Sequence, residues 1–415
     1  MTLYGQLLER QKEQDSIRVG VIGAGQMGRG MVAQISTIPG MIVTGISDLN
    51  IDAANAAKDA FNSSSEEKVE ILTTTDFKEV INNENIDVIV EATGVPEVGA
   101  KVCLECLLAH KNIVLLNVEI DITIGSLMHK LFKSAGLVYT GSAGDEPAEV
   151  VSLYEFAKSM GMEVLVAGKG KNNKLKVHAN PDTAKEEAES KNMNAHMLAA
   201  FQDGTKTMAE MNLLSNAIGF KPDIKGMHGI SGDLDSTVDQ LSTKEEGGVL
   251  SQYGVVEYVD GLAPGVFVIV KGQNEGVVEE LNYLMKKGDK DRHILYRPFH
   301  LASLETPLTV AKVALNNDTS IVPLGVPVSD TVAFTKKDIK KGEKIDGIGG
   351  YCVRGLLETH EECLKENHIP IGLIAGNTIA KEDIPADSFL TLDNTELDTT
   401  TTVYKLRKLQ DEFIG

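Results

Sequence analysis

The sequence predicts an α/β protein with an N-terminal doubly wound parallel sheet, an α+β middle domain and a small β-rich C-terminal domain. Three observations support this prediction. Continuous apolar runs alternate with helical patterns over roughly the first 160 residues, as in a parallel sheet that is covered on both faces. Residues 162–300 then combine strand patterns with long helical ones. Short strands and turns dominate from Ile321 onward.

The predicted strands of the first domain are β-branched and continuous rather than alternating. They lie within residues 16–22, 41–48, 86–100 and 112–122. The third segment breaks at Thr93 and Gly94, and a helix is expected from about Pro147 to Met160. We therefore place the first domain at 1–161, the middle domain at 162–320 and the C-terminal domain at 321–415. A helix at 301–315 is expected to pack back on the first domain.

The turn after the first strand has the spacing of a dinucleotide-binding turn. Gly23, Gly25 and Gly28 stand as GxGxxG between a predicted strand and a predicted helix. The first glycine permits the tight turn, the second lets a pyrophosphate approach the backbone, and the third lets helix and strand pack closely. The amides at the start of the helix would hold the phosphates. The alternative is a glycine-rich turn without a ligand.

Asp48 ends the second predicted strand, twenty positions after Gly28. Its carboxylate can accept hydrogen bonds from both ribose hydroxyls and would repel a 2′-phosphate, so NAD is favoured over NADP. The ligand crevice of a doubly wound sheet lies at the carboxyl ends of its strands. The predicted cofactor-binding residues are Gly23, Gly25, Gln26, Met27, Gly28, Asp48, Ala92, Thr93, Gly94 and Asn117.

A cluster of lysines follows the strand pattern that starts the middle domain. These residues, predicted to form a loop, are Lys169, Lys171, Lys174 and Lys176. Gly168 and Gly170 flank Lys169 and would open access to the backbone. We expect Lys169 or Lys171 to stabilise the negative charge that develops on a substrate oxygen during hydride transfer. The alternative is a solvated surface turn.

Other polar residues of the middle region are candidates for the same site. Asp203, Lys206 and Glu210 are three and four positions apart on one predicted helix, either as a surface ion-pair ladder or as a face turned into a cleft. Asp145 and Glu146 could transfer protons or bind a divalent cation, although helix capping explains Asp145 equally well. The predicted catalytic residues are Lys169, Lys171, Asp145, Glu146, Lys206 and His228, and the predicted substrate-binding residues are Arg297 and His300.

Charge and cysteine usage limit the partners. The net charge of −20 repels nucleic-acid backbones and anionic lipid, so we expect a small anionic substrate and neither nucleic acid nor membrane. The chain has no apolar stretch of about 18 residues and no signal-peptide pattern, which favours the cytoplasm. Cys103 and Cys106 are predicted to be small core residues of a helix, with a redox or metal pair as the alternative. We expect a homo-oligomer.

Several segments together resemble a known family along nearly the whole chain. They are GVIGAGQMGRGM, DVIVEATG, GDEPAEVV, GKGKNN, DGTKTMAEM, MHG, YRPFHLASLETPL and DGIGGY. The chain resembles the homoserine dehydrogenase-like NAD(P)-dependent oxidoreductases that end in a SAF domain. The C-terminal segments KKDIKKGEKI and IAKEDIPADSFLTLDN are similar to SAF domains, which are β-clip modules.

The resemblance implies a Rossmann domain and an oxidoreductase that uses NAD or NADP. One branch of the family contains reductoisomerase-like enzymes that convert 1-deoxy-D-xylulose 5-phosphate with NADPH. Leu116, Asn117, Val118 and Glu119 match a stretch in which homoserine dehydrogenases carry a lysine, and here there is none. The missing lysine disfavours homoserine as the substrate. We expect a small hydroxylated, phosphorylated carbonyl or alcohol substrate, with homoserine or a dinucleotide-sensing role without chemistry as alternatives.

Overall fold

The computed structural model describes residues 1–65, 67–191, 193–285 and 291–414. The chain divides into two compact units. The first unit comprises Met1–Asp145, Leu301–Gly325 and Thr400–Gly415, and the second comprises Glu146–His300 and Val326–Thr399. This division differs from the predicted domains, because residue 161 lies inside the second unit and residue 320 inside the first.

The strands, in chain order, are β1 (Ile17–Ile22), β2 (Met41–Ser47), β3 (Leu72–Thr74), β4 (Val88–Glu91), β5 (Asn112–Leu115), β6 (Tyr139–Gly141), β7 (Glu163–Lys171), β8 (Lys221–Pro222), β9 (Ile230–Ser231), β10 (Val255–Asp260), β11 (Val266–Lys271), β12 (Arg292–Arg297), β13 (Ser329–Thr335), β14 (Val353–Thr359), β15 (Ile379–Ala380) and β16 (Thr395–Glu396).

The helices are α1 (Leu3–Glu13), α2 (Gln26–Ile35), α3 (Ile51–Ser64), α4 (Phe77–Ile81), α5 (Pro96–Leu108), α6 (Val118–Ser134), α7 (Glu146–Ser159), α8 (Pro181–Ser190), α9 (Ala195–Gln202), α10 (Thr205–Ile218), α11 (Leu234–Gln240), α12 (Glu275–Met285), α13 (Thr306–Asn316), α14 (His360–Lys365) and α15 (Thr402–Phe413). Within the described ranges, no helix is both long and apolar enough to cross a membrane.

The first unit contains the predicted parallel sheet. Its six strands lie in the order β3-β2-β1-β4-β5-β6, and every neighbouring pair is parallel. A buried core joins this sheet to α2, α3 and α13, and α4, α5 and α6 also contact its strands. A doubly wound Rossmann sheet is therefore confirmed, and it places the carboxyl ends of β1, β2 and β4 at one edge.

Two predicted strands are shorter than expected because helices begin inside them. Pro96 starts α5 in a position where its missing N–H costs nothing. Asn117 ends the strand segment by capping α6, since its side chain accepts a hydrogen bond from the Ile120 amide at 3.2 Å. Cys103 and Cys106 are buried free thiols on α5, as predicted for core residues.

Two later segments of the chain also belong to the first unit. Helix α13 contacts β1, β4, β5 and α2. Helix α15 contacts α5 and α6, and the Glu97 carboxylate accepts from the amides of Thr402 and Val403 at 3.1 and 2.9 Å. The C-terminal helix therefore packs with the first unit, whereas the sequence placed it in the last domain.

The second unit is built on a mixed sheet in the order β12-β11-β7-β10-β8, with β9 beside β10. Strand β7 pairs parallel with β10 and antiparallel with β11, which in turn pairs antiparallel with β12. Apolar residues of α7 and α10 cover one face, and a second apolar cluster that includes Val238 of α11 covers the other. The carboxyl ends of β7 and β10 thus lie at one edge, beside α7 and α10.

The predicted long helix before residue 219 is two helices, α9 and α10. Gly204 separates them with a φ of +91°, a left-handed conformation that breaks a helix and favours glycine. Asp203 therefore lies at the end of α9, while Lys206 and Glu210 lie on α10. The prediction that these three residues share one helix face is wrong.

The β-rich segment 326–399 packs within the second unit. Strands β13 and β14 form an antiparallel pair against α10, and the Thr205 hydroxyl accepts from the Gly355 amide at 2.8 Å. Lys336 lies 3.0 Å from Asp203, and both side chains are buried. These contacts join the segment to α9 and α10, whereas the sequence predicted a domain of its own at 321–415.

Candidate functional site

The glycine turn after β1 has the local geometry that dinucleotide binding requires. Gly23 has a φ of +101°, and a Cβ on Gly28 would lie 1.9 Å from the Gly23 carbonyl oxygen. These two glycines are therefore needed for the turn itself and for the close packing of α2 on β1. A Cβ on Gly25 would meet no atom within 4 Å, so this side of the turn is open to a ligand.

The start of α2 adds a phosphate-binding feature. Gly25 is its N-cap and supplies no capping side chain. Gln26 and Met27 form the first turn, where backbone amides lack partners within the helix. Such amides and the helix dipole favour an anion. The turn therefore fits the pyrophosphate of NAD or NADP.

Asp48 lies at the carboxyl end of β2, next to this turn. Its Oδ2 accepts from the Ala24 amide at 2.7 Å and its Oδ1 from the Asn50 amide at 2.8 Å. These bonds fix the carboxylate, and each oxygen retains a second lone pair for a ribose hydroxyl.

The end of β4 carries a buried acid beside the predicted cofactor-binding residues Thr93 and Gly94. Glu91 is fully buried and accepts from the Thr93 amide at 2.9 Å and from the Thr93 hydroxyl. Burial raises the pKa of Glu91 to about 7, although the Thr93 hydrogen bonds oppose the shift. The Ala92 amide donates to the Ile22 carbonyl oxygen of β1 at 2.8 Å. Gly94 has a φ of +67°, and a Cβ at this position would meet no atom within 4 Å.

Lys169 lies at the centre of a buried ion cluster in the second unit. Its Nζ is 2.7 Å from Glu146 Oε1 and also contacts Glu210 Oε2. The three side chains are 5%, 7% and 4% exposed. Glu146 is the first residue of α7 and Glu210 lies on α10, so both helices hold their carboxylates against β7.

The first two lysines of the predicted loop, Lys169 and Lys171, lie in a strand. Strand β7 continues through Lys171, and both Lys169 and Lys171 are buried. A Cβ on Gly168 would lie 2.0 Å from the Glu257 carbonyl oxygen, and one on Gly170 would lie 2.2 Å from the Leu262 carbonyl carbon. The glycines therefore admit neighbouring backbone rather than a ligand. Lys174 and Lys176 are exposed, as in the surface-turn alternative.

The two carboxylates keep Lys169 charged. Burial by itself lowers the pKa of Lys169, but the charges and hydrogen bonds of Glu146 and Glu210 outweigh it and raise the pKa. Burial raises the pKa of Glu210, and the charge of Glu146 adds to this effect. Lys169 is thus a fixed cation and hydrogen-bond donor at neutral pH.

His300 and Arg297 lie near the same helix, α7. His300 Nε2 is 3.5 Å from Glu146 Oε1, and its Nδ1 is 2.9 Å from the Pro264 carbonyl oxygen. Arg297 contacts the Glu149 carboxylate, and its guanidinium lies 4.6 Å from the centre of the Phe299 ring. The structure therefore brings Lys169, Glu146 and His300 into one chain of contacts.

Lys171 and Lys206 are further cations of this region. Lys171 Nζ donates to the Phe201 carbonyl oxygen at 3.2 Å. Burial lowers the pKa of Lys171, and the charge of Lys169 lowers it further. Lys206 lies one turn before Glu210 on α10. Asp145 is the last residue of the Met1–Asp145 segment of the first unit. Its role in proton transfer or cation binding stays a prediction.

His228 makes a separate set of contacts. Its Nε2 is 2.8 Å from Asp223 Oδ2, and its amide donates to Glu257 Oε1 at 2.7 Å. Burial raises the pKa of Glu257 to about 7, against the amide hydrogen bonds of His228 and Gly229. The left-handed conformations of Gly226, Met227 and Gly229 shape this loop.

Glu149 and Glu257 are buried acids that the sequence analysis did not single out. Each is buried, although a single acidic residue in a helix or strand usually faces solvent. The available signal was the spacing of Glu146 and Glu149, which places two acids on one face of α7 between apolar residues.

Two protein-family models match adjacent parts of the chain. Residues 17–139 match "Dihydrodipicolinate reductase, N-terminus", and residues 144–306 match "Oxidoreductase DRL, catalytic domain". The second match spans Glu146, Lys169, Glu210, Arg297 and His300. No curated protein is significantly similar to this chain.

Solved structures resemble the chain at low identity. Myo-inositol dehydrogenase from Lactobacillus casei, solved with NAD(H) and myo-inositol, is 13% identical with a TM-score of 0.44, over 75% of this chain and 88% of that one. A 3-ketoreductase from Actinomadura kijaniata is 14% identical with a TM-score of 0.38, over 72% and 90%. At these values neither similarity supports a statement about activity.

Proposed function

We propose that this NAD(P)-dependent oxidoreductase interconverts a small hydroxylated alcohol and its carbonyl compound, and that the substrate carries a phosphate or carboxylate. The observation that supports the proposal is the buried Lys169, held between two carboxylates on the segment that matches an oxidoreductase catalytic domain. Burying two acids and one lysine has a desolvation cost that their mutual attraction can fail to offset, so stability alone is a poor explanation for this cluster. An oriented hydrogen-bond donor that is positively charged at rest is what a reacting oxygen needs.

The dinucleotide is held by the glycine turn and the start of α2, and when bound it supplies or accepts the hydride. Lys169 donates a hydrogen bond to the substrate oxygen and stabilises the negative charge that develops there. Glu146 and Glu210 orient its Nζ and keep it protonated. Asp48 favours NAD over NADP because its fixed charge would face a 2′-phosphate.

The anionic group of the substrate is assigned to other cations of the second unit. Lys171, Lys206 and Arg297 are the candidates, because each can neutralise a phosphate or carboxylate. The first substrate to test is 1-deoxy-D-xylulose 5-phosphate, and homoserine is the second. Parallel reactions with Mg²⁺ or Mn²⁺ test the need for a divalent cation.

The experiment is a screen of sugar phosphates, hydroxy acids and their carbonyl forms with NADH, NADPH and the oxidised cofactors, followed at 340 nm. We expect turnover with a phosphorylated or carboxylated member and a preference for NAD(H). The matched control is Gly25→Val, which should lose the signal while it remains folded. NADH binding without any turnover across the screen would instead indicate a dinucleotide sensor.

A further inference from the structure

The contacts of His300 determine which of its ring nitrogens carries the proton. Nδ1 lies 2.9 Å from the Pro264 carbonyl oxygen, and a carbonyl oxygen can only accept a hydrogen bond. Nδ1 is therefore protonated. In a neutral imidazole, Nε2 then presents a lone pair. It faces Glu146 Oε1 at 3.5 Å, which is also an acceptor when the carboxyl group is ionised.

Two acceptors that face each other need a proton between them. That proton lies either on His300, which is then an imidazolium, or on Glu146, which is then a neutral acid. The same Oε1 of Glu146 is 2.7 Å from Lys169 Nζ. A single carboxylate oxygen thus connects a titratable imidazole to the lysine that we assign to the substrate oxygen.

We propose that His300, Glu146 and Lys169 form a proton relay between solvent and the reacting oxygen, an inference that rests on the proposed function. During reduction the hydride forms a C–H bond at the carbonyl carbon, and the C=O π pair moves to oxygen. Lys169 Nζ gives that oxygen a proton, Glu146 reprotonates Lys169, and His300 Nε2 reprotonates Glu146. His300 then takes a proton from water, so the reaction consumes one hydride and one solvent proton. Oxidation runs the same path in reverse.

The exposure of the three side chains agrees with a path in which His300 is the end nearest to solvent and Lys169 the end nearest to the substrate. His300 is 14% exposed, against 7% for Glu146 and 5% for Lys169, so the imidazole is the most exposed of the three. Glu210 contacts Lys169 at the end of the path, and no contact between Glu210 and His300 is found among the described residues, so we assign Glu210 to orienting Lys169. Glu149, one turn along α7, is neutralised by Arg297 and provides a comparison carboxylate.

The first test needs no substrate. Protein labelled with ¹⁵N-histidine is examined by NMR, and the His300 signals are identified by their loss in His300→Asn. We expect the neutral ring to carry its proton on Nδ1. The ¹⁵N chemical shift of Nε2 should change in Glu146→Gln, because the carboxylate that faces this nitrogen is replaced, and it should stay unchanged in the control Glu149→Gln. A proton on Nε2, or an Nε2 shift that ignores Glu146→Gln, would overturn the relay.

The second test uses the substrate found in the screen. Asn at position 300 can still donate to the Pro264 oxygen but cannot pass a proton, so we expect His300→Asn to lower kcat by about tenfold or more. KM should stay within about twofold, and added imidazole should restore part of the rate. A raised KM with unchanged kcat would show that His300 binds substrate instead. A screen without turnover would contradict the proposed function. The tautomer measurement needs no substrate, so it would still test the relay by itself.

Discussion

Replacing Lys169 with methionine should destabilise the second unit strongly. The change keeps most of the side-chain volume and removes only the charge and its hydrogen bonds. It leaves the Glu146 and Glu210 carboxylates buried on either side of an uncharged thioether, with side chains 7% and 4% exposed. Removing one partner from a buried ion pair typically costs about 3–5 kcal/mol.

The loss should depend on pH. Burial and the charge of Glu146 already raise the pKa of Glu210, and the loss of Lys169 leaves the charge of Lys206 to oppose them without the charge and hydrogen bond of Lys169. An acid whose pKa is raised in the folded state favours folding at low pH and loses that contribution as pH rises through the folded pKa. The loss of unfolding free energy in Lys169→Met, relative to the native protein, should therefore be small near pH 5 and largest near pH 8.

Thermal melting followed by circular dichroism at pH 5, 6, 7 and 8 measures this effect. For a unit of this size, about 2–4 °C per kcal/mol gives a fall in Tm of roughly 6–20 °C at pH 8. The double variant Lys169→Met/Glu210→Gln should recover part of the lost Tm, because only the Glu146 carboxylate then remains buried without the lysine. The exposed Lys174→Met is the matched control and should stay within about 0.5 kcal/mol of the native protein. A Lys169→Met protein that melts with the native protein at every pH would refute the reasoning.

Three further predictions concern the first unit. Gly25→Val should lose NADH affinity by titration calorimetry without loss of helical circular dichroism, since a side chain there occupies the open side of the turn; unchanged binding would exclude this cofactor site. Asp48→Ser should bind NADPH better relative to NADH, because it removes a charge next to the ribose, and an unchanged ratio of the two Kd values would argue against that role. Burial raises the pKa of Asp121 to about 7, so the native protein loses stability as pH rises through that value. The Tm of Asp121→Asn relative to the native protein should thus increase from pH 5 to pH 8, and a constant difference would contradict it.

The parts of the structure that depend on neighbouring residues in the sequence could be predicted. The spacing of Gly23, Gly25 and Gly28 specifies a turn that the following helix completes, and Asp48 follows one strand later. The Rossmann sheet could be predicted for the same reason, because each strand is a short continuous apolar run.

The parts that depend on distant segments could not. Two glycines beside Lys169 are typical of a turn, but here they make room for the backbone at Glu257 and Leu262. Glu146 and Glu210 look like surface acids on their helices, and only the fold reveals that both contact the same lysine on β7. Helix α15 packs on α5 and α6 from nearly 300 positions away, as the 283-residue separation of Gln410 and the Leu127 amide shows.

The most direct measurement of the role of Lys169 is the rate of hydride transfer in a single turnover. Cofactor absorbance at 340 nm is followed by stopped flow with the substrate from the screen, for the native protein and for Lys169→Met well below its melting temperature. We predict a rate about 100- to 1000-fold lower in the variant, with the Kd for NADH unchanged, because one preorganised donor to the reacting oxygen is lost. A rate within about threefold of the native protein in the folded variant would contradict the assignment of Lys169 to the reacting oxygen.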